Sequence, residues 1–173
     1  VIDLEAADGS LLMLDNQTPR VLSYTDGKIN VLAGSGIQSA AQPGVNAQKA
    51  SFSFPGALAR GGDGTLYVAD ANHRITKIGA DQTVQAFAGS LEAGFSGDGG
   101  PATNAKFRTI YGLDVGPDGS VFVADAFNHA IRKITPDGNV TTIVGNGHAG
   151  LASYAGTNLA ALNTPNRVLV TTT

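Results

Sequence analysis

The chain has 173 residues, of which 14% are charged and 23 are glycine, and its formal net charge at pH 7 is −3. A charged fraction well below the roughly 25% of typical soluble domains, with abundant glycine, indicates a turn-rich β protein and argues against disorder. The acidic balance argues against a nucleic acid or an anionic membrane as partner. The lack of cysteine excludes disulfides and thiolate metal sites. No apolar run approaches the ~18 residues of a membrane span.

A unit of about 55 residues recurs along the chain. Asp15, Asp70 and Asp125 each end an apolar run, and their numbers differ by 55. The same spacing relates Phe52, Phe107 and Leu162, Ile29 and Val84, and Gly34 and Gly89. Gly145 follows Gly89 at a spacing of 56, because one extra residue, Phe127, stands in the third copy. In chain order the units are residues 1–36, 52–90 and 107–147, with the start of a fourth at 162–173 and crossover linkers between them.

Each unit is predicted to form four short antiparallel strands. In the third copy these are 111–115, 121–124, 130–134 and 140–144, with Pro-Asp-Gly turns after the first and third strands. The second strand reads "LLML", "LYVA" and "VFVA" in the three copies, apolar at every position. A strand that is apolar on both sides is covered on both faces. Four-stranded antiparallel units covered in this way are blades of a β-propeller, so the predicted fold is all-β.

The sequences "GFSGDGGPATNAKF", "GLDVGPDGSVFVADAFNHAIRKI" and "NVTTIVGNGHAG" resemble NHL repeats, in the long bacterial form with a Gly-Asp-Gly-Gly-Pro-Ala linker. The resemblance covers residues 51–150 best. It implies propeller blades, usually six in a closed ring, of which this chain would supply about half. It also implies a binding platform for proteins, glycans or RNA, outside the cytoplasm in an extracellular or periplasmic location. Related six-bladed propellers include lyases and lactonases with a metal in the central channel.

The residues that follow the second strand recur with the repeat. Asp70 precedes Asn72-His73, and Asp125 precedes Asn128-His129. They could be metal ligands or an acid–base pair, but members of a set that recurs once per blade cannot converge on one centre. We therefore expect Asp and Asn to accept hydrogen bonds from nearby backbone N–H groups. The third-strand cations Lys77, Arg132 and Lys133 are predicted to be solvated.

The glycine-rich linker Gly94–Pro101, "GFSGDGGP", could be an anion cradle or a calcium loop. A phosphate loop needs a following helix and usually a lysine, and a calcium loop needs several oxygen ligands, whereas Asp98 stands alone. We predict a compact crossover between blades.

An enzymatic site would depend on the innermost strands, whose polar residues are Asp3, Glu5, Arg60, Asp114 and Arg167. Arginine in such a ring repels a cation. None of the three histidines lies on an inner strand, and no nucleophile motif is present. We predict no catalytic residue, metal or cofactor within this chain, although further blades could complete a site.

Binding residues are sought where the copies differ on the loop face. Arg74 replaces the alanine of the third copy, Phe127 is inserted, and Phe95 and Arg108 lie in or beside a crossover segment. Aromatic and arginine side chains on loops are typical interface anchors. The prediction is a non-catalytic scaffold that binds protein or glycan, with no nucleic acid partner. The alternative is part of a propeller hydrolase or lyase whose metal site needs additional blades.

The two ends carry the same innermost strand, because residues 166–173 map onto residues 1–8 after subtraction of three repeat lengths. Propellers take about four to eight blades, so three cannot close a ring. Together with the first residue, Val1, this predicts a piece of a longer chain, or a subunit completed by another copy or partner.

Overall fold

The computed structural model describes residues 3–7, 9–150 and 161–171 and forms three separate four-stranded antiparallel sheets. The first contains β1 (Asp3–Ala7), β2 (Ser10–Asp15), β3 (Arg20–Thr25) and β4 (Lys28–Ala33). The second contains β5 (Ala57–Arg60), β6 (Leu66–Asp70), β7 (Arg74–Ile78) and β8 (Val84–Ala88). The third contains β9 (Ile110–Val115), β10 (Val121–Asp125), β11 (Ala130–Ile134) and β12 (Val140–Gly145). In each sheet the strands pair in chain order, which confirms the predicted blades.

The first strands of the three blades are neighbours. β5 contacts both β1 and β9, as expected of strands that surround one axis. Two apolar clusters fill the interfaces between neighbouring blades. One joins blades one and two around Phe52, and the other joins blades two and three around Phe107. Both phenylalanines are fully buried and come from the crossover linkers, so each linker helps to fill the interface between two blades.

The turns are stabilised by the aspartates of the predicted Asp-Gly sequences. Asp63 accepts hydrogen bonds from the backbone N–H and hydroxyl of Thr65, and Asp118 accepts the same pair from Ser120, at 2.9–3.0 Å. The glycine after each aspartate has a positive φ, as a tight hairpin turn requires.

A second repeated glycine marks the end of each blade. Gly34, Gly89 and Gly145 have φ between +93° and +97°. A Cβ at any of them would lie 2.2 Å from the carbonyl oxygen that precedes the third strand. Each faces a register shift near the start of the third strand. The repeat therefore has glycine at this position, because the end of the fourth strand lies too close to the start of the third strand for a side chain to fit.

The linkers also have a repeated structure. Each contains a short 3₁₀ helix, Ala47–Lys49 and Ala102–Asn104. The first linker bonds Val84 of the next blade through Gly44 and Val45, and the second bonds Val140 through Gly99 and Gly100. The predicted compact crossover is confirmed for Gly94–Pro101.

The predicted first strand of a fourth blade is not a strand in the described residues 161–171. The segment lies beside β9, where Val170 N donates to Asp114 Oδ2. A Cβ at Gly112 would lie 2.8 Å from the Arg167 Cα. The segment thus lies against blade three, but no strand of the described residues pairs with it.

Candidate binding surface

Of the three repeated aspartates, Asp70 and Asp125 are buried, at the linker end of their blades. Asp125 Oδ1 accepts the backbone N–H of Arg108 at 2.7 Å, and Asp125 Oδ2 accepts from Asn128 Nδ2 at 2.8 Å and Arg132 Nη1 at 3.4 Å. Burial raises the pKa of Asp125 above its ordinary value, against these bonds, which favour the charged form. The predicted backbone role is confirmed for Asp125, but it is wrong for Asn128, whose side-chain N–H group donates to Asp125 and to the Gly94 carbonyl. The backbone partner of Asp125 lies in the crossover segment before the blade, so Asp125 fastens that segment to the turn.

Asp70 has a related environment in blade two. Its Oδ1 accepts the N–H of Asn72 at 3.0 Å, and its Oδ2 pairs with Arg74 Nη2 at 3.3 Å. Burial raises the pKa of Asp70 as well, and the charge of Arg74 opposes the rise. Arg74 is itself buried, so its expected position on an exposed loop is wrong. Arg74 is the first residue of β7, and its guanidinium compensates the buried carboxylate.

Arg132 is fully buried, and the prediction that it is solvated is wrong. Its Nη2 donates to Asp98 Oδ1 at 2.7 Å and to the carbonyl of Ser96 at 3.1 Å. Its guanidinium carbon lies 5.1 Å from the centroid of the Phe95 ring and 5.3 Å from that of Phe107. Arg132 therefore holds the glycine-rich linker against blade three, and Asp98 is the linker carboxylate of this ion pair.

The histidines join each blade to the segment that follows it. Thr109 N donates to His73 Nδ1 at 3.4 Å, and Thr164 N donates to His129 Nδ1 at 3.1 Å. In blade one the corresponding residue is Pro19, and the N–H of Phe54 bonds Gln38 Oε1 at 2.7 Å instead. A glutamine from the linker thus replaces the missing imidazole acceptor.

The remaining predicted binding residues lie on the surface near this end. Arg108 and Phe127 are exposed, and the Phe127 N–H donates to the Arg108 carbonyl at 3.0 Å, so the two are adjacent. Phe95 is 41% exposed, and its ring covers Arg132. One part of the Phe95 ring is therefore exposed to solvent, and another part packs on the Arg132 guanidinium.

Tyr111 completes this surface and was missed by sequence reasoning. Its ring centroid lies 6.0 Å from that of Phe127 at 60°, and the two side chains are 44% and 45% exposed. Tyr111 stands where the second copy has Gly56, so a comparison of the copies contained the signal. We call Arg108, Tyr111 and Phe127 the aromatic surface.

Asp114 is the inner-strand acid whose contacts the structure describes. Asp114 accepts the N–H groups of Val115 and Val170. The side chains of Asp3 and Glu5 lie outside the described residues. Among the described residues, no three His, Asp or Glu side chains come close enough to hold a metal ion. Within the same ranges, no helix is both long and apolar enough to cross a membrane.

Comparison with known proteins defines the class of fold. No family model matches the chain. An alignment of 145 positions with Teneurin-m of Drosophila melanogaster has 34% identity and covers 73% of this chain but only 5% of that protein.

Solved structures of similar fold have diverse functions. A Bacteroides thetaiotaomicron protein of unknown function has a TM-score of 0.68 at 22% identity, over 92% of this chain and 38% of that one. A nidogen/laminin complex has a TM-score of 0.55 at 15% identity, over 83% and 46%. A gluconolactonase from Xanthomonas campestris has a TM-score of 0.56 at 18% identity, over 82% and 46%. The chain is an all-β partial propeller, and the fold is shared by binding proteins and enzymes.

Proposed function

We propose that this chain is part of an NHL-type propeller that acts as a non-catalytic binding scaffold for a protein or glycan. The observation that carries the proposal is the aromatic surface. Tyr111 and Phe127 form a ring pair, each nearly half exposed, beside the exposed Arg108. Such groups are enriched at the centres of protein interfaces.

The contrast between repeated and unique residues supports this proposal. Asp70, Asp125, His73 and His129 recur and are engaged in bonds that hold turns and linkers. Phe127 has no counterpart in the shorter turn of blade two, and Gln17 stands in its place in blade one, so its exposed ring is not part of the repeat architecture. A nidogen/laminin complex among the similar folds is an example of such a fold in a protein assembly. An extracellular or periplasmic location belongs to this proposal and rests on the NHL resemblance.

The test is binding by the full-length protein to arrays of extracellular proteins and glycans. Alanine at Tyr111 or Phe127 should weaken capture of the partner at least tenfold, as expected when an interface anchor is truncated. Phe54→Ala is the control, because Phe54 is 61% exposed but lies outside the aromatic surface. Unchanged capture by both variants would refute the site. A stoichiometric divalent ion that survives dialysis would favour the hydrolase or lyase alternative.

A further inference from the structure

A cleft of about 430 Å³ opens between blades two and three at the opposite end of the strands, where the β5–β6 and β9–β10 turns lie side by side. Its floor contains Tyr67 and Phe87, whose ring centroids are 4.9 Å apart at 63°. Pro136 forms part of its wall, and Asp63, Asp118 and Lys77 also line it. Its volume falls within the roughly 300–1,000 Å³ of ligand pockets.

The floor differs from the corresponding positions of blade one, whereas blade three has an aromatic residue, Phe122, at the position of Tyr67. One repeat length earlier, Leu12 and Leu32 occupy the positions of Tyr67 and Phe87, and both pack in the cluster between blades one and two. Leucine therefore satisfies the packing of this interface. In the interface between blades two and three, Tyr67 and Phe87 stand at the positions of the two leucines. Both aromatic residues are partly buried, and both line the open cleft. The two rings therefore pack against the core between blades two and three and also present surface to the cleft.

The polar groups of the cleft suit a ligand that is uncharged and rich in hydroxyl groups. Asp63 and Asp118 are ionised at neutral pH, and hydrogen bonds from Thr65 and Ser120 lower their pKa values further below the usual 3.8. A carboxylate has about four acceptor positions, so Asp63 can accept further bonds beyond the two from Thr65. Lys77 lies in the same cleft, and Lys133 Nζ is 3.3 Å from Asp118 Oδ2. The two carboxylates and two ammonium groups balance in formal charge.

We propose that this cleft binds an uncharged sugar residue, either free or as part of a glycan. The apolar face of a sugar ring would pack on Tyr67 and Phe87, and its hydroxyl groups would donate to Asp63 and Asp118. A cationic side chain is less suitable, because the lysines already neutralise the carboxylates. This site goes beyond the proposed function, since it lies at the other end of the blades from the aromatic surface and can be tested separately.

The experiment is titration of the full-length, isotope-labelled protein with glucose, galactose, mannose, N-acetylglucosamine and their disaccharides, followed by NMR. At least one sugar should shift the amide signals of the turns around Asp63 and Asp118. The Tyr67→Leu/Phe87→Leu variant adopts the residues that the preceding interface already uses, so it should fold. It should bind that sugar at least tenfold more weakly. Asp63→Asn should also weaken binding, because an amide is a poorer partner for hydroxyl donors than a carboxylate.

Phe127→Ala is the control for the other surface and should leave sugar binding unchanged. Three outcomes would overturn the inference. The first is that no sugar shifts these signals at tens of millimolar. The second is that the double leucine variant binds as well as the wild type. The third is that the cleft instead takes a Lys- or Arg-containing peptide with salt-sensitive affinity, which would identify a cation site.

Discussion

Asp125 and Asp15 occupy the same position in the repeat but have different surroundings. Asp125 is fully buried and faces the buried Arg132. Asp15 is only partly buried and accepts from nearby groups, the N–H of Gln17 at 3.0 Å and the hydroxyl of Thr18. One repeated residue therefore has two energetic roles, because the charge balance around it differs between blades.

We expect Asp125→Ala to lower the free energy of unfolding by about 3–5 kcal/mol, because it removes one partner of a buried ion pair. Asp15→Ala should cost about 1 kcal/mol, as for an ordinary hydrogen bond. Urea unfolding of the two variants of the full-length protein measures both. Equal losses would show that the ion pair with Arg132 contributes little.

The buried arginine comes from different positions in blades two and three. Arg74 corresponds to Ala130, and Arg132 corresponds to Thr76. Blades two and three thus each place one guanidinium beside the repeated aspartate, but from different positions of the third strand. We expect Arg132→Thr to destabilise the protein and the added change Ala130→Arg to recover about 1 kcal/mol, a coupling typical of contacting residues.

A double-mutant cycle of unfolding free energies measures this coupling. Ala130→Arg in the wild-type background is the control, and it should destabilise, because a second guanidinium would compete for one carboxylate. If the double variant is no more stable than Arg132→Thr, the position in blade two cannot substitute for that in blade three. The contact of Arg132 with Asp98 would then be the dominant one.

At the scale of the elements, hairpin turns are held by ionised aspartates. Hydrogen bonds from Thr65, Thr83 and Ser120 lower the pKa values of Asp63, Asp81 and Asp118 below the usual 3.8. A lowered folded-state pKa means that the stabilisation is present above the unfolded value and is lost as pH falls through the folded one. These turns should therefore weaken below about pH 4.

The triple variant Asp63→Asn/Asp81→Asn/Asp118→Asn tests this prediction, because asparagine keeps a side-chain oxygen but does not titrate. At pH 6 the wild type should be the more stable protein, and the difference in urea midpoint should shrink as pH falls below 4. A difference that stays constant between pH 6 and pH 3 would contradict the prediction. Buried Asp70 and Asp125 titrate in both proteins and cancel in the comparison.

At the scale of the whole molecule, blade one exposes an apolar face. The corresponding face of blade two is covered by blade one and its linker. Tyr24 and Ile29 pair across β3 and β4 and are 46% and 65% exposed. Their counterparts Ile78 and Val84 in blade two are 2% and 0% exposed, because blade one and its linker cover them. We propose that another blade, from the same protein or a second copy, covers this face.

The 173-residue chain by itself should therefore self-associate, since contiguous exposed apolar patches rarely exceed a few hundred Å² on a soluble monomer. Tyr24→Lys/Ile29→Lys should reduce the mass measured by light scattering. Phe54→Lys, an equally exposed apolar residue on a crossover segment, should not. A monodisperse wild-type monomer with cooperative unfolding would disprove the exposed-face argument.

The sequence by itself determined the repeat, the strands and the turns. The predicted strands of the third blade agree with β9–β12 to within one residue at each end. This is because strand and turn formation depends on local features, such as continuous apolar runs and Asp-Gly pairs. The recurrence of the aspartate also predicted the backbone hydrogen bond of Asp125, but not its ion pair with the buried Arg132.

Only the tertiary structure decided which distant side chains meet. Arg132 was expected in solvent as a cation of the third strand, yet its partner Asp98 lies 34 residues earlier in the linker. The pairing of Tyr111 with Phe127 and the cleft beside Tyr67 also depend on how chain segments pack, within blade three and between blades two and three. Sequence periodicity gives the face of a strand on which a residue lies. What covers that face depends on how the crossover linkers fold back over the blades, and the free energy of each buried charge follows from that packing.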